Sequence, residues 1–209
     1  MDRGDDHVQA GSGEQAGAVT DGRLHRSIRT KAAIAAAFVA LVDDGHLAPT
    51  SHEVAERAGV GHRTVFRHFE DMESLYTSIH DEIARRARPI LLAPLPAGPL
   101  TTRIRHLVVQ RTRFHARITP FRRALIARFW SSPTLQAMVK EDQAMLRELT
   151  RSALPESRAL APADFEILEL LLSFEAYSRL RELQGLSERR ARDVIEAGLR
   201  GLLRPQDAS

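Results

Sequence analysis

The chain has no cysteine among its 209 residues. Disulfides, zinc–thiolate centres and a cysteine nucleophile are therefore excluded, and the lack fits a reducing, cytoplasmic setting. No apolar run approaches the roughly 20 residues that a membrane-spanning helix needs. The first residues, MDRGDDHVQAGSGEQAG, contain no hydrophobic stretch of the kind a signal peptide carries. No segment alternates apolar and polar residues over a useful length, which argues against strands. There is no glycine pattern of the nucleophile-elbow type, and no histidine pair at i, i+4 with a carboxylate beside it. No catalytic residue, metal site, cofactor or membrane partner is expected.

Acidic residues are missing locally. Overall, 30 Lys and Arg face 27 Asp and Glu, a net charge of +3, too little for a global argument about polyanions. The distribution is more informative. Residues 1–22 carry Asp2, Asp5, Asp6, Glu14 and Asp21 against Arg3, whereas 23–31 carry Arg23, Arg26, Arg29 and Lys31 without an acid. A second acid-free block holds Arg103, Arg105, Arg111, Arg113, Arg117, Arg122, Arg123 and Arg128. A third acid-free stretch runs from Arg57 to Phe69.

What is present is helical periodicity in a chain of ordinary globular composition, 43% hydrophobic and 27% charged. Residues 1–22 have almost nothing to bury and read as a disordered tail. A helix is expected from Ser27 or Thr30 to about Asp44, with Ile34, Ala37, Phe38 and Leu41 as its core stripe. After Phe69, Asp71 is a plausible cap for a fourth helix through Leu75, Ile79 and Ile83 to about Arg88. Pro89, Pro94, Pro96 and Pro99 then mark a boundary. Amphipathic segments follow at Leu100–Ile118, from Pro120 to Trp130, from Pro133 to Leu154, at Ala163–Gln184 and at Glu188–Leu203. The fold class is all-α.

The stretch TSHEVAERAGVGHRTVFRHF, 50–69, reads as two short helices around a tight turn. Thr50 and Glu53 form a capping box. Val54, Ala55 and Ala58 make an apolar stripe, and Gly59 supplies a left-handed residue. Gly61 precedes a helix from His62 to His68 with Val65 and Phe69 inward. A small residue at Ala55, the turn glycine and Val65 have helix-turn-helix spacing. Such a pair also occurs in helical bundles that never touch DNA. The outward set of His62, Arg63, Thr64, Arg67 and His68, with no acid beside it, suits a helix that enters a polyanionic groove.

Residues Ile34 to Gly45, VAERAGV at 54–60, TVFRHF at 64–69 and Glu73 to Leu75 resemble the TetR (tetracycline-repressor-like) family of bacterial transcription regulators. The resemblance is close over residues 28–80. It implies a tail at 1–22, a helix-turn-helix DNA-binding domain at 23–88, and a ligand-binding and dimerisation bundle at 89–209. Gly61 stands where the family often has a capping serine, Arg63 where a small residue is common, and Met72 where a phosphate-touching lysine is common.

The resemblance implies a repressor that a small hydrophobic ligand releases from its operator, with an activator or a ligand-independent binder as the alternative. Its partners would be operator DNA, a second copy of itself and an unidentified small molecule. Arg63, Thr64 and Arg67 would read bases, with Arg bonding guanine O6 and N7 and the Thr methyl meeting thymine. Thr50, Ser51, Gly61, His62, Phe66 and His68 would position the backbone. Arg23, Arg26, Arg29 and Lys31 are candidates to clamp phosphates. Leu168, Leu171, Leu172, Leu180 and Leu183 are candidates for the dimer face. A mainly apolar cavity is expected, walled by Phe129, Trp130 and Tyr177 and anchored by His106 or Gln110. If any part of the 103–128 arginine block points inward, the ligand should be a hydrophobic acid.

Overall fold

The computed structural model describes residues 13–46, 49–70 and 72–204, and no strand occurs among them. The helices are α1 (Gly13–Asp43), α2 (Ser51–Ala58), α3 (His62–Glu70), α4 (Met72–Leu92), α5 (Leu100–Phe129), α6 (Pro133–Ala153), α7 (Pro162–Leu171), α8 (Phe174–Ser178) and α9 (Glu188–Leu202). A 3₁₀ turn at Pro155–Ala159 joins α6 to α7, and a wide π turn at Arg179–Leu183 follows α8.

Four boundaries differ from those expected. α1 begins at Gly13, well before Ser27, because no proline interrupts the chain between 13 and 43. The expected tail lies outside the described residues for 1–12, and residues 13–22 belong to the backbone of α1. α4 runs through Pro89 to Leu92, and α5 runs through Pro120 as one helix of 30 residues. Pro120 has no N–H for the carbonyl of Ala116, yet both sides of this gap are anchored. Phe121 is buried in one core, and the Thr119 hydroxyl donates to the His115 carbonyl at 2.7 Å. The segment expected at 163–184 is broken instead, because the Ser173 side chain caps α8 by accepting from the Ala176 N–H at 3.1 Å. The expected Asp71 cap lies outside the described residues.

Apolar side chains gather in two cores. The first takes Ile34, Ala37, Phe38 and Leu41, the stripe read from the sequence, together with Val54, Val65, Leu75 and Ile79. Each large aliphatic buried here contributes about 1.5–3 kcal/mol. The second takes Ile104, Leu107 and Val108 with Leu154, Leu168, Leu172, Ile195 and Leu199. Leu168 and Leu172 are therefore interior to one subunit, not on a dimer face as expected, since they lie on the side of the α7 region that packs on α9 and α5. α5 belongs to both cores, because its Phe121 packs in the first. Beside that contact Arg117 and Arg86 both reach Asp43 at the end of α1, at 2.6 and 3.0 Å. The Arg117 hydrogen bond first, and then Arg86, holds the Asp43 carboxyl below the usual carboxylate range.

Candidate nucleic-acid interface

α2 is held at both ends. The Thr50 side chain accepts the Glu53 N–H at 3.3 Å, and the Thr50 N–H donates to the Glu53 carboxylate at 2.8 Å. This reciprocal cap draws the Glu53 pKa down to about 2, with the Thr50 backbone bond as the largest cause, then the Thr50 hydroxyl, then His46. Gly59 closes the helix at φ 65, where a side chain would be strained. Val65 is fully buried against α1 and α2 and fixes the crossing of α3. The N–H groups of Thr64 and Val65 bond the Gly61 carbonyl at 2.8 and 3.3 Å. A Cβ on Gly61 would meet Thr64 Oγ1 at 3.9 Å, an ordinary contact, so the serine common in the family would fit there.

The outward side of α3 presents Arg63 and Arg67, both exposed and neither in an ion pair with a described residue. By contrast Arg57, on α2, is tied to Asp44 at 2.8 Å. Phe66 is 55% exposed, an unusual place for a phenyl ring unless a partner covers it. The Ser51 hydroxyl lies 3.1 Å from His62 Nε2, which links the start of α2 to the start of α3. Thr50 is exposed, and Ser51 and Thr64 are half-buried, on the same side. His68 departs from the expectation. It follows Val65 by three residues, shares its face, and is only 7% exposed, so it does not stand on the outward surface. His52 was passed over in the sequence. It is exposed, with its ring centre 5.8 Å from that of His62 in an edge-on arrangement. Its place in the first turn of α2, two residues after the cap, was the available signal.

The expected phosphate clamp is partly engaged elsewhere, since Lys31 Nζ donates to the Ser74 hydroxyl at 2.8 Å. The side chain of Arg23 lies outside the described residues. Contacts also tie α4 to the bundle. Glu73 accepts from the Thr134 N–H at 3.2 Å and the Ser132 hydroxyl at 2.9 Å, and hydrogen bonding to Thr134 first, then to Ser132, lowers its pKa.

Further along α4, His80 Nε2 pairs with Asp142 on α6 at 3.0 Å. The Asp142 hydrogen bond is the main cause of a raised His80 pKa. A raised folded pKa means that the pair's stabilisation is complete below about pH 6.5, the unfolded value, and is lost as pH climbs through the folded one. With Asp142 41% exposed, solvent screening keeps the effect at about 0.3–1 kcal/mol. Urea unfolding at about pH 5.5 should separate wild type from Asp142→Asn by that amount, and at about pH 8.5 the two should converge.

The five residues expected to line a ligand cavity do not come together. His106 and Gln110 line a surface cleft of about 290 Å³ with Ile90, Pro94, Val109 and Arg113, and the Gln110 amide donates to the Ala93 carbonyl at 2.8 Å. Phe129 and Trp130 stack edge to face at the far end of α5, where Trp130 is 80% exposed. Tyr177 is buried beside His115, ring centres 5.8 Å apart. Because α5 is continuous, at 1.5 Å per residue Gln110 and Phe129 are about 28 Å apart along it, too far to share a small-molecule site.

The arginine block is mostly spent on ion pairs: Arg103 with Glu156, Arg105 with Glu196, Arg117 with Asp43, Arg122 with Glu175 and Arg123 with Glu182. Arg111 alone among its described members is buried. No helix among the described residues is long and apolar enough to cross a membrane.

Residues 33–79 match the model for bacterial regulatory proteins of the tetR family. No curated protein and no solved structure matches the chain. The matched segment includes the last third of α1, all of α2 and α3, and the start of α4, so it coincides with the capped, glycine-turned pair and the core that orients it. The head of this all-helical chain, residues 33–79, thus carries a helix-turn-helix of the kind found in bacterial regulatory proteins of the tetR family.

Proposed function

We propose that the protein is a homodimeric, cytoplasmic repressor that binds a two-fold operator and leaves it when a small hydrophobic molecule binds the C-terminal bundle. The observation that carries the DNA half of this reading is the outward side of α3, where Arg63 and Arg67 stand free of described carboxylates and Phe66 lies bare between them. Arg63, Thr64 and Arg67 read base edges, while Thr50, Ser51, His62 and Phe66 hold the backbone. Two copies place their α3 helices about 34–36 Å apart, in successive major grooves. The release half is supported by the shared membership of α5 in both cores and by its Arg117–Asp43 link to α1, which give movement in the bundle a route to the DNA-binding helices. A ligand achieves release only by preferring the conformation that binds DNA poorly.

A second reading, DNA binding without a ligand, draws on the close packing of Leu107, Leu154, Leu168 and Ile195 in the bundle. Selection of duplexes from a random pool by the full chain, followed by thermal-shift screening and DNA-release assays, separates the two. Enriched palindromic sites, and compounds that both stabilise the protein and release those sites, are the expected result. Stabilising compounds that leave DNA bound favour the ligand-independent reading, and a pool without enrichment removes sequence-specific binding.

A further inference from the structure

The middle of α5 carries two buried polar side chains on one face, Arg111 and His115, each only 2% exposed. Arg111 Nη2 donates to the Leu146 carbonyl and the Thr150 hydroxyl on α6, both at 2.9 Å. Its Nε has no hydrogen-bond partner among the described residues. One turn on, His115 Nε2 lies 2.8 Å from the Leu172 carbonyl oxygen. A carbonyl only accepts, so Nε2 carries the ring proton. Burial, its largest cause, pulls the His115 pKa down to about 4, so the ring is neutral near pH 7. Nδ1 is then a bare acceptor, and it too lacks a partner among the described residues. A third unmatched atom is buried on α7, Glu169 Oε1, and the Glu169 charge acts on Arg111.

Buried polar atoms are normally paired, and three unpaired ones around one face of α5 call for an explanation. The surroundings are aromatic. Phe114, Phe174 and Tyr177 have ring centres 5.5, 5.9 and 5.8 Å from that of His115. The facing chain is interrupted at Leu172–Ser173 and again at the π turn Arg179–Leu183. Interruptions of this kind let helices part along a seam, and π turns often mark functional sites.

The unmatched set fixes the chemistry of a guest. It offers one N–H donor, at Arg111, and two acceptors, at His115 and Glu169. The guanidinium and the Glu169 carboxylate already sum to zero, so a carboxylate guest would add an uncompensated buried negative charge, while a hydrocarbon would leave all three atoms unmatched. We infer that the α5 face of Arg111 and His115, with Glu169 opposite, binds a small, flat, uncharged aromatic molecule that carries a carbonyl acceptor beside N–H or O–H donors, as an aromatic amide does. This differs from the expectation of a hydrophobic acid, because Glu169 supplies the counter-charge that the linear sequence did not place near Arg111. The inference rests on the reading above that the C-terminal bundle takes a small molecule.

The test uses the full chain with salicylamide, salicylate and naphthalene, followed by calorimetry and thermal shift. Salicylamide should bind and raise Tm, and the other two should bind at least about tenfold more weakly. Arg111→Met should still fold, at a lower Tm because it leaves the Glu169 charge uncompensated and removes the two bonds to α6, and should lose salicylamide binding about ten- to a hundredfold. If Arg111 served only to brace α6, the same variant would lose stability with no specific effect on the amide. Glu169→Gln is nearly isosteric and leaves Arg111 unbalanced, so it should reverse the order and favour salicylate. Absence of salicylamide binding, a preference for naphthalene or salicylate in the wild type, or an unreversed order in Glu169→Gln would each overturn the site. Binding that follows these rules without release of DNA would keep the site and remove ligand-relieved repression. Release of DNA by other compounds, with no salicylamide binding, would do the opposite.

Discussion

Replacing Arg63 and Arg67 together with alanine should weaken binding to a wild-type-selected duplex roughly thirtyfold to twenty-thousandfold while the fold persists. The magnitude comes from two base-directed arginines at about 1–3 kcal/mol each, 2–6 kcal/mol together. The persistence comes from their exposure and from the absence of any ion pair with a described residue, so their removal leaves no orphaned partner inside the protein. The two single variants should differ in kind if one reads a base and the other a phosphate. Loss of a base contact relaxes preference at one position, whereas loss of a phosphate contact lowers affinity uniformly and flattens the salt dependence by about one unit of slope. Fluorescence anisotropy over a salt series measures both. An affinity within about twofold of wild type for the double variant would remove α3 as the reading helix.

Leu170→Asp should turn the proposed homodimer into a folded monomer. Leu170 is 61% exposed and Ile167, one turn away on α7, is 45% exposed. Val194 on α9 is 44% exposed, with Ala197 and Gly201 exposed at the following positions of the same strip. α7 and α9 pack together closely: a Cβ on Gly198 would come within 2.7 Å of Leu171 Cδ1. The pair therefore presents one apolar outer strip, of a form that a symmetry mate can cover as a four-helix bundle. A carboxylate at its centre would be desolvated on pairing, at a cost of several kcal/mol against the contact, yet would stand in water in the monomer. Leu172→Asp makes the contrast, because Leu172 is buried in the subunit's own core and a charge there should prevent folding. Light scattering and circular dichroism on the two variants distinguish these outcomes. A dimer mass for Leu170→Asp would move the interface elsewhere. A monomeric Leu170→Asp should also bind its duplex far more weakly, since only one half-site is then held at a time.

The helix-turn-helix was legible because its determinants are local. The Thr50–Glu53 cap, the left-handed turn at Gly59 and the apolar stripe at Ile34, Ala37, Phe38 and Leu41 each act within a few residues, and all appear as read. His68 was misplaced only because its neighbours Arg67 and His62 share its polarity. Face is set by the 3.6-residue period from Val65, not by residue type. The prolines misled in the longer helices. Pro89 read as a stop and Pro120 as a start, but α4, anchored beyond its proline by buried Leu91, and α5, anchored by Phe121, each tolerate a missing N–H.

By itself, then, the sequence determined an all-helical chain and a capped recognition module with an acid-free outward side, because caps, turns and periodicity are short-range. Tertiary structure decided which leucines of the α7 region face the interior and which face outward. It also joined the two cores through α5, spread His106, Gln110, Phe129 and Trp130 from one part of α5 to just past its end while Tyr177 went to α8, and set Glu169 near Arg111 across 58 residues of chain. Each of these depends on how helices pack against one another, and the pattern within any single helix is compatible with several such packings.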